Sequence, residues 1–255
     1  MMESESDSQY RSSEEAKAAE ELEAPQEIQT RKVKISLIRH GQSVHNVAEP
    51  AYFAGRSREH DTGLTEQGFQ TAAEIAEELK GDKIDVIIHS DLLRARETAE
   101  AIAKRLGYEI ELVEMAGLEE VDVGNFAGKT REQIYTEGKD EEKTALDDFA
   151  TGDVTKINFP GGESYETASA RAKTALDQII NEYGDRARIA IVAHGNVNKV
   201  ILSLLFPDQI GFVNQLRLGY NQFLEFDMIQ AQDGSPDFQN LTIVGEPEKK
   251  DKGLI

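Results

Sequence analysis

The sequence predicts an α/β fold: a three-layer α-β-α sandwich around a mainly parallel sheet. Short apolar runs rich in β-branched residues alternate with longer stretches whose apolar residues recur at helical spacing. Glycine follows several of these stretches, where a helix would end. The chain has 255 residues, of which 39% are hydrophobic, and can build one large core or two smaller ones.

In the first half of the chain, a strand is predicted over residues 33–38 and a helix over 65–80, with Thr65 as N-cap. A strand over 84–89 comes next. Ser90 or Asp91 then caps a helix that ends at Gly107, and a shorter strand covers 109–113. The apolar stripe predicted to face inward on the first helix comprises Phe69, Ala72, Ala73, Ala76 and Leu79.

In the second half, a long amphipathic helix is predicted over residues 164–183. A strand over 188–193 and a helix over 198–205 follow. Runs at 222–228 and 241–244 are expected to pair as a hairpin across the turn residues 233–236. Because strands alternate with helices, most strands should run parallel, and ligands should bind beyond their carboxyl ends.

Composition excludes several classes of protein. The net charge of −20 argues against a nucleic-acid or anionic-membrane partner, and no apolar run approaches the ~20 residues of a membrane span. Cysteine is absent, which removes disulfides and thiolate chemistry. No basic region followed by an apolar stretch opens the chain, so a cytoplasmic location is expected, with the nucleus as a second possibility.

The two ends of the chain differ in composition from its middle. Residues 1–30 hold nine acidic and two basic residues and few large apolar ones, which predicts a disordered acidic tail over 1–31. A single folded domain is expected over 32–245, and a second short tail over 246–255.

Three segments with chemically active side chains lie at predicted strand ends. Arg39 and His40 follow the first strand, Arg94 lies in the segment after the second, and His194 follows the fourth, with Gly195 next to it. Since the carboxyl ends of parallel strands share one edge of the sheet, these segments should meet in one pocket.

Two arginines and two histidines at one point suit phosphoryl chemistry. Arg39 and Arg94 can each donate two hydrogen bonds to a phosphate, and Asn46 can add an amide donor. His40, as a neutral imidazole, can attack phosphorus, while His194 donates to the phosphoryl oxygens.

A carboxyl group near the pocket must then protonate the leaving oxygen. The loop 118–124 offers three candidates for this acid: Glu119, Glu120 and Asp122.

Five ordered stretches resemble the motifs of the histidine phosphatase superfamily, which includes the phosphoglycerate mutases. They are Arg-His-Gly-Gln-Ser-Val-His-Asn at 39–46, Arg-Ala-Arg-Glu-Thr-Ala at 94–99, the loop 118–128, Gly-Glu-Ser at 162–164 and Ala-His-Gly-Asn at 193–196. The resemblance spans about 33–244 and implies a phosphoglycerate-mutase-like fold and a catalytic domain over 32–245.

The resemblance also assigns roles. It implies a phosphatase with a phosphohistidine intermediate on His40, with Glu120 as the acid and no metal or organic cofactor. The implied catalytic residues are His40, Glu120, His194 and Arg39, and the implied phosphate-binding residues are Arg39, Asn46, Arg94, His194 and Gly195. The partner expected is a small phosphorylated substrate.

Three alternatives stay open at this point. A phosphoglycerate-mutase-type phosphotransferase would use the same groups, although no adjacent arginine pair occurs between residues 128 and 160. An inactive module could bind phosphorylated ligands on the same fold. A metallohydrolase would normally show more clustered ligands than this sequence contains. The substrate and the oligomeric state are not predicted.

Overall fold

A mixed sheet of six strands forms the centre of the protein. The computed structural model describes residues 32–81, 83–231 and 235–246. Its strands are β1 Lys32–Arg39, β2 Val86–His89, β3 Glu111–Glu114, β4 Arg188–Ala193, β5 Phe223–Gln230 and β6 Pro236–Val244. The tail predicted over 1–31, nearly all of the tail predicted over 246–255, and the first half of the turn at 233–236 lie outside the described residues.

The strands lie in the order β3-β2-β4-β1-β5-β6. The four strands β3, β2, β4 and β1 are mutually parallel, whereas β5 runs antiparallel to both β1 and β6. At the pair β1 and β4, Arg39 lies opposite Ala193. The residues that follow these two strands therefore emerge side by side at one edge of the sheet.

Seven α-helices occur in the described residues, and they cover both faces of the sheet. They are α1 Glu66–Leu79, α2 Leu93–Leu106, α3 Arg131–Glu137, α4 Asp140–Ala150, α5 Tyr165–Tyr183, α6 Gly195–Leu205 and α7 Ile210–Gln215. On one face α1 and α2 pack against Ile38, Ile87 and Val192. On the other, α5 and α6 pack against Leu37 and Ile191. The predicted three-layer α/β fold is confirmed.

The inward stripe predicted for α1 was wrong at Phe69, which is 45% exposed. The buried residues of this helix are Gly68, Thr71, Ala72, Ile75, Ala76 and Leu79. Gly68 explains the rotation: a Cβ there would lie 2.1 Å from the Gln42 carbonyl oxygen. Helix α1 thus approaches the loop after β1 through a glycine, and Phe69 is turned toward solvent.

Three short helices were not predicted: α3, α4 and α7. Each buries few residues, with Ile134 the buried residue of α3 and Val213 that of α7. Helix α4 is rich in charged residues and buries Glu142, Ala145 and Leu146. The apolar periodicity that revealed the longer helices is therefore weak here. No helix of the described ranges is both long and apolar enough to cross a membrane.

Several predicted boundaries differ from the observed ones. The strand predicted at 84–89 begins at Val86, and that predicted at 109–113 is shifted to Glu111–Glu114. Leu92, rather than Ser90 or Asp91, is the N-cap of α2, although Ser90 Oγ accepts the Leu92 N–H at 3.3 Å. Gly107 ends α2 with φ 77°, a conformation that favours glycine.

Candidate active site

Two buried histidines meet where β1 and β4 end. His40 is the first residue after β1, and His194 is the first after β4 and the N-cap of α6. Their ring centroids are 5.0 Å apart, and their exposed fractions are 3% and 0%. The parallel pairing of the two strands positions both rings, so the predicted meeting of these two segments is present in the structure.

The hydrogen bonds of His40 fix its tautomer. Its Nδ1 lies 2.7 Å from the Gly41 carbonyl oxygen, which can only accept, so Nδ1 carries the proton. The other ring nitrogen, Nε2, therefore presents its lone pair. Burial, followed by the positive charges of Arg94 and Arg39, holds the pKa of His40 well below its usual value of 6.5. His40 is thus a neutral imidazole, the form that can act as a nucleophile.

Gly41 allows a close backbone approach. A Cβ at this position would lie 2.6 Å from the Gly68 carbonyl oxygen, and the Gly41 N–H donates to Thr98 Oγ1 at 3.0 Å. Its φ is not positive, so the backbone conformation does not itself require glycine here. The reason is instead the contact with α1, which holds the residues after β1 against the sheet edge.

His194 presents a donor to the same space. Its Nε2 lies 2.9 Å from Ser90 Oγ, which also accepts the Leu92 N–H and can donate its own proton to the ring. When the Ser90 hydroxyl donates to Nε2, the ring proton lies on Nδ1, which is buried and has no hydrogen-bond partner among the described residues. Burial, followed by the positive charges of Arg94 and Arg39, holds the pKa of His194 well below 6.5. This neutral ring can donate to an anion.

Arg94 is 1% exposed and is held from three sides. Its Nε–H donates to His40 Nε2 at 3.3 Å, Nη1 to Asp61 Oδ1 at 2.9 Å, and Nη2 to the Gly55 carbonyl at 2.9 Å. Asp61 also accepts the Leu93 N–H at 2.8 Å. The guanidinium therefore faces the nucleophilic nitrogen with Nε, while its terminal nitrogens are bound to protein. Sequence reasoning placed Arg94 here but did not find Asp61.

Arg39, the last residue of β1, packs against Tyr220. Its guanidinium carbon is 4.5 Å from the centre of the Tyr220 ring, and Nη2 donates to the hydroxyl at 3.4 Å. Its Nε is buried and has no hydrogen-bond partner among the described residues. Arg39 Nε and His194 Nδ1 therefore have no protein acceptor in the described residues, and their N–H groups can donate to a ligand.

Glu120 lies against the N-terminus of α6. Its carboxylate accepts the Val121 and Val197 N–H groups at 2.9 and 3.0 Å. It also accepts the Asn196 N–H at 3.2 Å and the Asn196 side-chain amide at 3.4 Å. A Cβ built on Gly195 would lie 3.9 Å from Glu120 Oε2 and 3.7 Å from Arg39 Nε. Glu120 and Arg39 therefore flank Gly195.

The two other acids considered for this loop point elsewhere. Glu119 accepts the Gly117 N–H at 2.8 Å and pairs with Arg171 at 3.4 Å. Asp122 accepts the Gly124 N–H at 2.9 Å and lies 3.6 Å from Arg56. Of the three candidates, only Glu120 reaches the residues around Gly195.

Arg171, on α5, anchors the loop that carries Glu120. Two of its nitrogens donate to the two oxygens of Glu163, each at 2.8 Å, and a third donates to the carbonyls of Gly117 and Glu119. Glu163 accepts the Asp122 N–H at 2.9 Å as well. Burial raises the pKa of Glu163, but these hydrogen bonds outweigh it and lower the pKa overall. The charged pair therefore fixes the loop on both sides of Glu120.

Asn46 closes the turn after β1. Its Oδ1 accepts from the Ser43 N–H at 3.0 Å and from the Ser43 hydroxyl at 2.7 Å. Its amide nitrogen lies 3.0 Å from His45 Nε2. These bonds hold Asn46 beside His45, and its phosphate contact stays a prediction.

His45 belongs to the wall of the site, which sequence reasoning missed. Its ring centroid is 6.2 Å from that of His40, and its Nδ1 lies 2.9 Å from Ser43 Oγ. Burial and the charges of Arg94 and Arg39 lower the pKa of His45 to about 3. The available signal was its position within the first motif, 39–46. A single histidine in a turn does not by itself predict which side chains it will contact.

Within the described residues, no group of three or more histidine, aspartate or glutamate side chains lies together as metal ligands would. What the arrangement offers is a neutral nucleophilic nitrogen, cationic and neutral N–H donors around it, and a carboxylate nearby.

The family model of the histidine phosphatase superfamily (branch 1) matches residues 35–240. The chain belongs to this superfamily, and phosphomonoester hydrolysis is the activity that fits this membership. The resemblance of the five motifs is thereby confirmed at the level of the family.

Relatives include both phosphatases and mutases. The chain is 32% identical to a metal-independent phosphoserine phosphatase of Arabidopsis thaliana, over 68% of this chain and 69% of the relative. It is 29% identical to a probable phosphoglycerate mutase of Erwinia tasmaniensis, over 73% and 80%. Among solved structures, a putative alpha-ribazole-5'-P phosphatase of Escherichia coli superposes with a TM-score of 0.68 at 19% identity, over 84% of this chain and 96% of the other. That last likeness concerns the fold.

Proposed function

We propose that the protein hydrolyses phosphomonoesters through a phosphohistidine formed on His40. The observation that carries the proposal is the neutral His40, whose unprotonated Nε2 accepts a long hydrogen bond from Arg94 Nε at 3.3 Å and carries no proton of its own. A nucleophile so placed splits one difficult displacement into two easier ones.

In the first step, His40 Nε2 attacks phosphorus and the bond from phosphorus to the substrate oxygen breaks. Arg39, Arg94 and the Nδ1–H of His194 donate to the phosphoryl oxygens as charge develops there. Glu120 enters this step protonated, gives its proton to the leaving oxygen and becomes a carboxylate as the alcohol departs.

In the second step, Glu120 takes a proton from water as the water oxygen attacks the phosphohistidine. The bond between nitrogen and phosphorus breaks, inorganic phosphate forms, and His40 and Glu120 regain their starting protonation. Small phosphorylated metabolites are the substrates that this mechanism suits, in a cytoplasmic setting.

Phosphate release tests the proposal. Wild type should release inorganic phosphate from p-nitrophenyl phosphate, and His40→Ala should lose at least about 10³-fold in kcat, the scale typical of removing a nucleophile. His60→Ala serves as the control, because His60 lies in the loop before α1 and contacts Tyr52 rather than the histidine pair. It should stay within about threefold of wild type. Normal turnover by His40→Ala would refute the proposal.

The mutase alternative differs in the fate of the phosphoryl group. A probable phosphoglycerate mutase is among the relatives, and the same groups could return the phosphoryl to the substrate. With 3-phosphoglycerate, a hydrolase releases inorganic phosphate, whereas a mutase forms 2-phosphoglycerate without it. An inactive binding module would do neither.

A further inference from the structure

A cavity of about 590 Å³ opens beside the histidine pair. It shares Arg39, Glu120 and Gly195 with the site described above and extends to α4, α6 and the segment 216–219. A phosphoryl group held at His40 lies at its edge, so most of this cavity is left for the rest of the substrate. Its apolar wall is formed by Phe149, Ala150, Val154, Ile157, Leu216 and Leu218.

Three cations besides Arg39 line this cavity: Arg131, Lys199 and Arg217. In the described part of the chain, none of the three lies within ion-pair distance of a carboxylate. Lys199 Nζ donates to the Asn214 carbonyl at 3.3 Å, and Arg217 donates to the carbonyls of Asn214 and Leu216 at 3.1 and 2.8 Å. These bonds orient the cations without neutralising their charge.

Two carboxylates share the wall, Glu120 and Asp153. Asp153 Oδ1 is already bound by the Thr155 N–H and hydroxyl and by the Asn214 amide, at 2.8–3.1 Å. Four cations against two carboxylates leave the cavity positive, although the chain as a whole carries −20. Such a local reversal of sign favours an anionic ligand.

Asn198 provides an independent observation. It lines the cavity from α6, is 3% exposed, and neither its amide oxygen nor its amide nitrogen has a hydrogen-bond partner in the described residues. A buried amide without partners disfavours folding, so its presence at this wall points to a ligand that it binds. It lies next to Lys199 along α6.

We propose that this cavity binds a carboxylate of the substrate, so that the substrate class is a phosphomonoester that also carries a carboxylate. Lys199, Arg217 and the Asn198 amide donate to the carboxylate, and the apolar wall contacts the carbon chain. A singly charged group suits the modest positive excess better than a second phosphate, because Arg39 already serves the phosphoryl group. This inference rests on the proposed function and names its substrate class.

Matched substrates test the inference. O-phosphoserine and phosphoethanolamine form one pair, in which hydrogen replaces the carboxylate. 3-Phosphoglycerate and glycerol 3-phosphate form a second pair, in which a hydroxymethyl group replaces it. Wild type should favour the carboxylate member of at least one pair by about tenfold or more in kcat/KM, the scale of one hydrogen bond to a charged group.

Variants assign the preference to these residues. Arg217→Gln and Lys199→Gln should each reduce it by about tenfold, mainly through KM, and leave the carboxylate-free member within about threefold. Lys104→Gln is the control, since Lys104 is exposed in the last turn of α2, and it should change neither member. Equal kcat/KM within both pairs, or an equal loss on both members in the variants, would overturn the inference. Preference for a propanediol bisphosphate over the carboxylate substrates would overturn it as well.

The two proposals fail separately. Hydrolysis of p-nitrophenyl phosphate without any preference for carboxylates would refute the carboxylate site and leave the hydrolase standing. If no phosphomonoester is hydrolysed, the proposed function fails, and thermal stabilisation of His40→Ala then decides the carboxylate site. Greater stabilisation by phosphoserine than by phosphoethanolamine supports it, and equal stabilisation refutes it.

Discussion

At the scale of single residues, the site depends on imidazoles that stay neutral. Burial and two guanidinium groups lower the pKa of His40, so the ring does not take up a second proton. The Gly41 carbonyl oxygen accepts a hydrogen bond from Nδ1 and so fixes the one ring proton there. The same surroundings act on His194. The arginines that would bind a phosphate therefore also prepare the nucleophile for it.

This protonation is measurable by ¹⁵N NMR of the imidazole nitrogens. At pH 6, His40 should show a protonated Nδ1 and an unprotonated Nε2, and His40 and His194 should not titrate between pH 7.5 and 5.5. The unfolded chain takes up protons near pH 6.5 while these rings do not, so stability falls as pH drops below that value. A doubly protonated His40 at pH 6 would contradict this account.

At the scale of elements, two parallel strands and one long helix position the site. Strands β1 and β4 deliver the histidines, and α5 holds the Glu120 loop through Arg171 and Glu163. The Gly-Glu-Ser stretch recognised in the sequence thus has a structural role: its glutamate accepts both a bidentate arginine and the Asp122 N–H.

Removing the charge of Glu163 tests this role. Glu163→Gln should destabilise the fold by about 2 kcal/mol, because the partly buried Arg171 loses its bidentate carboxylate and keeps only Glu119 as an ionic partner. It should also lower kcat more than it changes KM, since the loop that carries Glu120 loosens. Asp177→Asn is the matched control on α5, the helix that carries Arg171. Asp177 pairs with Lys173 in solvent, so this change should cost less than about 0.5 kcal/mol. Equal losses in both variants would show that the Glu163 pair does not hold the loop.

Sequence reasoning found the parts of this architecture that have strong local signals. The strand at 188–193 and the helix that ends at Gly107 were predictable from apolar runs and a glycine stop. Asp61 and Tyr220 were not, because each meets Arg94 or Arg39 only through tertiary contacts, 33 and 181 residues away along the chain. Helix α4 was not predicted, because it is rich in charged residues and buries only two apolar ones, which leaves little apolar periodicity in its sequence.

At the scale of the whole molecule, the chain concentrates positive charge where the sheet ends. A protein with a net charge of −20 repels phosphorylated molecules at long range, whereas its cavity presents Arg39, Arg131, Lys199 and Arg217. Burial and the neighbouring Arg217 lower the pKa of Lys199 to about 8, so it remains mostly charged at neutral pH. We therefore expect the substrate to be selected by contacts within the cavity.

The proposed mechanism requires that His40 carries the phosphoryl group during turnover. Wild type is mixed with substrate and quenched rapidly in base, in which phosphohistidine survives. Peptide mass spectrometry then identifies the residue that carries the phosphoryl group. We expect a phosphoryl group on His40 that acid removes, and none on the peptide from His40→Ala. Phosphate release by wild type with no phosphorylated His40, or with the phosphoryl group on another residue, would contradict it.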